Sequence, residues 1–242
     1  MFHGTDPRED PVEGFVFVEF EGWNDSPSVR GDAVERPAAH GDFDLPTTRG
    51  PRLITISGWC RARAPEVMGH LRSQLMAVLP EGVGRVTVDE FGVTTWADVR
   101  VYGAPRFRKR GASGYADWSL SLRAPDPRRY GATHEFPGGE PAYHYGNFPA
   151  VPELIVTGSM PSGYAIAGPD GKSFVVTQGL SAGQTHRIDM RTGWVTRDGV
   201  LQSGAVGRAE VWEIPPGAGI THALQPVSGT GSLLTRVPDT FI

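Results

Sequence analysis

Cysteine is almost absent from this chain. Cys60 stands alone among 242 residues, which excludes a disulfide framework and any cysteine-based metal cluster. Lysine is nearly missing as well: it occurs only as Lys109 and Lys172, and arginine carries the remaining positive charge. That bias fits a GC-rich genome rather than a mechanism. With 23 basic and 27 acidic residues the net charge is −4, a poor balance for wrapping nucleic acid. No window is long and apolar enough to span a membrane, and Met1 is not followed by a basic patch and an apolar run. The expectation is a soluble part without a signal peptide, made in a cytoplasm. Catalytic signatures are lacking too. No Gly-x-Ser-x-Gly elbow occurs, and Gly229-Thr-Gly231-Ser is too short and badly placed for a phosphate loop. Asp89 and Glu90 are strand neighbours whose side chains point to opposite faces, so they do not make an acid/base pair. The chain is expected not to be an enzyme and to need no cofactor.

What is present is organised around residues 52–79. Arg52 to Cys60 reads as a strand, with Leu53, Thr55 and Ser57 on one face and Ile54, Ile56 and Gly58 on the other. A helix follows. Pro65 suits its first turn, Glu66 meets the positive end of its dipole, and Val67, Leu71, Leu75 and Val78 or Leu79 form one apolar stripe. Pro80 stops it and Gly82 lets the chain turn. It is the only convincing helix; the rest reads as strands and turns.

Residues 1–11 are polar and expected to be mobile unless docked. Phe15 to Phe20 form a first strand, and 22–51 form a long irregular connection of the kind used as a functional or interaction arm. Gly84–Glu90 and Val93–Tyr102 read as a hairpin. Tyr115–Arg123 alternates, with Ala116, Trp118, Leu120 and Leu122 on the apolar side. Gly138, Gly139, Pro141, Gly146 and Pro149 make 131–150 a predicted linker. Beyond it only strands are expected, at 154–157, 164–167, 174–177, 185–190, 194–197, 211–214, 220–224 and 232–237, with turns at 169–171, 198–199 and 215–217. Regular short strands argue for a β-sandwich or jelly roll. The division is thus two β-rich domains, 1–140 and 141–242.

Several constellations have a functional and a bland reading. Arg30-Gly31-Asp32 spells an adhesion tripeptide that also arises by chance. His134, Glu135 and His144 have metal-ligating side chains but lie in the Gly/Pro-rich stretch, where surface histidine is the plainer account. Arg106, Arg108, Lys109 and Arg110 form the only basic run, which suits a charged edge strand or a protein contact more than DNA. Tyr164, Trp194 and Trp212 in the all-β part are candidates for stacking on sugar rings, against the commoner role of core aromatics.

The order of parts resembles the distal tail proteins of long-tailed bacteriophages (siphophages). The resemblance rests on Arg36-Pro-Ala-Ala-His-Gly-Asp-Phe43, Arg52-Leu-Ile-Thr-Ile-Ser-Gly58, the helix, and a strand ending Leu122-Arg-Ala-Pro-Asp-Pro-Arg-Arg-Tyr-Gly131. It continues in Gly146-Asn-Phe-Pro-Ala-Val-Pro-Glu-Leu-Ile-Val-Thr-Gly158 and Ile188-Asp-Met-Arg-Thr-Gly-Trp-Val-Thr-Arg-Asp-Gly199. It implies a tail-tube-like N-terminal β-sandwich or split barrel with one helix, forming a homohexameric ring, and a C-terminal galectin-like β-sandwich facing outward. It implies a structural virion protein at the tail tip, a baseplate hub component. Such a ring joins the tail tube protein to the tip protein and the receptor-binding apparatus, and DNA crosses its lumen without being bound. The competing expectation is a carbohydrate-binding adhesin that contacts host surface glycans through its C-terminal sandwich.

Overall fold

The computed structural model describes residues 13–79 and 82–242. The expected N-terminal tail and the helix-stopping Pro80 lie outside the described residues. The chain divides into two compact units, Met1–Val88 with Trp96–Arg128, and Asp89–Thr95 with Arg129–Ile242.

In unit 1, β1 (Gly14–Glu21) is followed by the short strands β2 (Val29–Arg30) and β3 (Thr48–Arg49), then β4 (Arg52–Arg61). After α1 (Pro65–Met76) come β5 (Gly84–Glu90) and β6 (Val93–Val101), whose shared hairpin end Asp89–Thr95 belongs to unit 2, then β7 (Arg106–Lys109) and β8 (Tyr115–Ala124). The sheet runs β1-β4-β8-β6, with β7 paired to β8 and β5 to β6. The β4–β8 ladder is its spine, in register from Arg52↔Ala124 to Arg61↔Tyr115. Period-two alternation sends Ile54, Ile56 and Cys60 from β4, and Trp118, Leu120 and Leu122 from β8, into one core. Gly58 is required there: a Cβ would lie 2.0 Å from the Val16 carbonyl, where β1 shifts register between Phe17 and Glu19.

The helix closes this core. It has Pro65 in its first turn and no side-chain cap, and the Ala77 N–H returns to Ser73 O at its end. The stripe it buries is Met68, Leu71 and Leu75, while Val67, Val78 and Leu79 pack partly buried around them. Spacing of three and four suits the observed trio, so the buried face is rotated slightly from the expected one. Burial pushes the Cys60 thiol up to about 11, so it packs as an apolar side chain rather than a thiolate.

Unit 2 holds β9 (Arg129–Pro137), β10 (Pro141–Ala142), β11 (Glu153–Ser159), β12 (Tyr164–Ala167), β13 (Ser173–Val176), β14 (Thr185–Asp189) and β15 (Trp194–Arg197). β16 (Val200–Leu201), β17 (Val206–Ala209), β18 (Ile220–Thr221), β19 (Ala223–Pro226) and β20 (Thr230–Phe241) complete it. One sheet runs β9-β20-β11-β14-β15-β16 and a second runs β17-β13-β12-β19. Leu154, Val156, Ile188, Val195 and Leu233 from the first meet Tyr164, Ile166, Phe174 and Val176 from the second, so this is a β-sandwich.

Two expectations are corrected. The predicted linker is a strand for the first part of its length: β9 pairs with β20 at seven positions, from Leu234↔Pro137 to Phe241↔Arg129. Its Gly/Pro-rich half forms turns around the two-residue strand β10, which pairs with β18. The strand expected at 211–214 is absent apart from an isolated Ala150↔Ile214 bridge, and pairing with β13 is made by β17 instead. The ladder ends at Phe174↔Ala209 because β13 begins at Ser173, just after the Pro169–Gly171 turn, and there the Glu210 carboxylate accepts the Ser173 N–H at 2.7 Å.

Candidate functional site

The irregular 22–51 connection of unit 1 is a ribbon. Val29↔Arg49 and Arg30↔Thr48 pair at its root, and Glu35 bridges Asp42 farther out, with the Phe43 N–H bonded to Val34 O at 2.9 Å. Residues 31–49 are exposed throughout, and so are the apolar side chains of Val34, Phe43 and Leu45. The Arg30-Gly31-Asp32 tripeptide lies on this ribbon.

Its base is held by a residue the sequence reading passed over. Arg52 is buried, and its NH1 donates to the carbonyls of Gly22 (3.0 Å), Trp23 (2.7 Å) and Asp25 (2.6 Å). Its Nε donates to Pro127 O at 3.0 Å. A charged donor serving several carbonyls satisfies backbone groups that an irregular segment leaves without ladder partners. The signal was in the sequence: Arg52 falls on the same alternate positions as core-facing Ile54 and Ile56.

Among the described residues β1 and β7 each pair on one side only, so they form two open edges of the unit 1 sheet. Their charges are opposite. β1 carries exposed Glu19 and Glu21, with the Ser57 hydroxyl donating to Glu19 at 2.7 Å. β7 carries Arg106 and Arg108 in register with Ser119 and Asp117, while Phe107 turns to the core. Arg110 grips Asp117 through Nε at 3.0 Å and through NH2. That ion pair holds the Asp117 carboxyl below its ordinary range and raises the Arg110 guanidinium. The basic run is therefore a charged edge strand, and a shallow surface groove lies between it and Glu19.

The three aromatic candidates in unit 2 do not come together. Tyr164 is wholly buried, its hydroxyl 3.0 Å from His186 Nδ1, and Trp212 is 4% exposed, its Nε1–H donating to His222 Nε2 at 2.9 Å. Neither ring presents a face to a sugar, because the sandwich needs both as filling. Trp194 is different: it is 61% exposed on β15.

Trp194 ends a row of residues in register across five strands: Trp194↔Asp189↔Glu153↔Arg236↔Glu135. Directly opposed residues share a face. Arg236 reaches Glu135 at 3.0 Å and Glu153 at 3.3 Å, and Arg187 reaches Glu153 at 3.3 Å. Glu153 and Asp189 also line a cleft of about 330 Å³ with Tyr130, Pro152, Arg191 and Pro238.

The metal-ligand candidates have other partners. His144 is buried, donating from Nε2 to Ile214 O at 3.1 Å and accepting the Gly146 N–H at Nδ1. His134 sits 3.1 Å from Asp239, which also accepts the Tyr145 N–H. Glu135 pairs with Arg236. Among the described residues no group of three or more His, Cys, Asp or Glu side chains converges.

No family model and no curated protein matches the sequence. Solved structures do. The Dit protein of phage SPP1, described as a paradigm of the hub adsorption apparatus in phages that infect Gram-positive bacteria, superposes with a TM-score of 0.74. The match covers 93% of this chain and 94% of that one at 14% identity. The activated baseplate of phage P2 with calcium matches with a TM-score of 0.50 at 9% identity, covering 91% of this chain and 89% of that one. At these identities the likeness is one of fold. The β-rich fold expected from the resemblance to distal tail proteins is the fold observed, with one α-helix among the described residues.

Proposed function

We propose that this chain is a structural protein of a phage virion, a hub component of the tail tip. In this reading copies assemble through unit 1 into a closed ring, sixfold by resemblance, between the tail tube protein and the tip or baseplate proteins that carry the receptor-binding apparatus. DNA passes through the lumen unbound, and no catalysis is involved. The observation that carries the reading is the likeness to the SPP1 hub protein over nearly the whole of both chains.

Two features of unit 1 support it. A ring of identical subunits needs two different, complementary patches on each copy. The acidic β1 edge and the basic β7 edge are such a pair. In this reading the basic run lies in a subunit contact rather than in the lumen, where arginines would hold DNA phosphates. The ribbon at 31–47 is the proposed arm onto a neighbouring copy, because its exposed Val34, Phe43 and Leu45 find no core in their own subunit.

Negative-stain micrographs and sedimentation of the full-length protein test the reading, and closed rings are the expected result. Removing 31–47 and joining Arg30 to Thr48 through Asn-Gly should leave folded monomers, since the Arg52 contacts to Gly22, Trp23 and Asp25 are untouched. Cutting closer to the core, from residue 24, would remove one of those acceptors and confuse misfolding with lost assembly. A parent protein that stays monomeric at high concentration rules the ring out.

A further inference from the structure

We infer that the open face of the larger unit 2 sheet carries a binding site for a neutral hexopyranose, with Trp194 as its stacking platform and Glu153, Asp189 and Arg191 as its polar partners. The inference rests on unit 2 alone and stands or falls separately from the hub reading.

The first consideration is the exposed indole. A tryptophan left 61% open on a sheet face keeps a large apolar ring in water, although β15 has core places that Val195 fills. Its Nε1–H is an extra polar handle. A solvated ladder of ion pairs explains Glu135, Arg236, Glu153 and Arg187. It does not explain an aromatic at the end of the same row.

The second is what stands beside it. Asp189 is directly opposite Trp194, so their Cβ atoms are about 5 Å apart. The neighbouring cleft has an apolar floor of Val151, Pro152 and Pro238, and its rim carries the Glu153 and Asp189 carboxylates, the Arg191 guanidinium and the Tyr130 hydroxyl. Its volume, about 330 Å³, lies at the small end of the range for ligand sites. A pyranose has a face of C–H groups that covers an aromatic ring, and a rim of hydroxyls that donate to carboxylates and accept from guanidinium. The site offers both halves.

The third is preorganisation. Asp189 is held by the Arg191 N–H at 2.8 Å and the Thr192 hydroxyl at 3.0 Å, and Arg191 NH2 bonds the Tyr130 hydroxyl. Glu153 is braced by Arg187 and Arg236. Side chains already fixed lose little rotamer freedom when a ligand arrives. Around the site the carboxylates of Asp189, Glu153 and Glu135 balance the guanidiniums of Arg191, Arg187 and Arg236. A locally neutral surface favours an uncharged sugar over an anionic polymer.

Saturation-transfer NMR on the full-length protein tests this with the methyl glycosides of glucose, galactose and N-acetylglucosamine. At least one should show saturable, weak binding with transfer to its ring C–H protons. Trp194→Ala should weaken that binding roughly tenfold or more with an unchanged melting temperature, as expected when a stacked aromatic is removed. Trp194→Phe should recover most of it, and Glu153→Gln should reduce it with the platform intact. Absence of transfer from all three sugars, equal binding by Trp194→Ala, or binding confined to a glycerol-phosphate polymer would each overturn the proposal. None of these results bears on ring formation, which is measured independently.

Discussion

Unit 1 and unit 2 bury polar side chains in opposite ways. Unit 1 places a permanent cation, Arg52, among backbone carbonyls at the root of its ribbon. Unit 2 places neutral imidazoles inside its sandwich. His222 accepts the Trp212 indole N–H and contacts the Thr235 hydroxyl at 3.2 Å, and His186 meets Tyr164. A guanidinium keeps its charge at any working pH, so the first device is insensitive to acid. An imidazole must stay neutral to accept a bond from an indole, so the second is not. The cores differ too: a helix closes one and a second sheet closes the other.

The largest effect should come from the border between the units. A fragment of 129–242 keeps β9 on β20 and is expected to unfold cooperatively. A fragment of 141–242 leaves that side of β20 open and should lose cooperative unfolding or aggregate. Equal stability of the two fragments, measured by calorimetry, would return the border to residue 140.

Next is the helix. Leu75→Ala should destabilise unit 1 by about 3–5 kcal/mol and Leu71→Ala by about 2–3 kcal/mol, as for large-to-small core changes. Amide hydrogen exchange resolves the units, and protection should fall in unit 1 alone. Variants as stable as the parent would mean that the stripe is not packed.

Acid should reverse the pattern. Burial pushes His222 down to about 4 and also lowers His186. Between the ordinary imidazole value and about 4, the unfolded chain binds protons that the folded unit 2 refuses. Stability is therefore full above pH 6.5 and falls as pH drops toward 4, by about 3 kcal/mol for His222 alone. Exchange at pH 4.5 should open unit 2 before unit 1, and His222→Gln should flatten the profile. Loss of unit 1 first would contradict the contrast between the two devices.

The smallest change is at the ribbon's root. Arg52→Met should cost about 2 kcal/mol, the penalty for leaving buried carbonyls without donors. Its diagnostic is local: proteolysis within 31–47 should quicken while the helix stays protected. An unchanged cleavage rate would show that the ribbon is held by other contacts.

Much of this architecture was legible residue by residue. Alternation in 52–60 and 115–123 identified both spine strands, and in the second the apolar face as well, because a half-buried strand must repeat every two residues. The helix was legible from Pro65, Glu66 and the leucines, since an isolated apolar stripe has few other uses. Turn chemistry at Pro169-Asp170-Gly171 and Asp198-Gly199 marked the hairpins of unit 2. These signals are local, and a sequence states local preferences directly.

Tertiary structure decided what depends on neighbours far along the chain. β9 reads as linker because Gly131 and Pro137 are poor strand formers and Gly138-Gly139 follow, yet pairing with β20, about a hundred residues later, supplies the hydrogen bonds that define it. The strand expected at 211–214 reads well locally but forms no ladder among the described residues, because β13 starts at Ser173, just after the Pro169–Gly171 turn. Among Tyr164, Trp194 and Trp212 composition offers no choice. Burial in the sandwich takes two and leaves Trp194 beside Asp189, because register, not residue type, determines which side chains share a face.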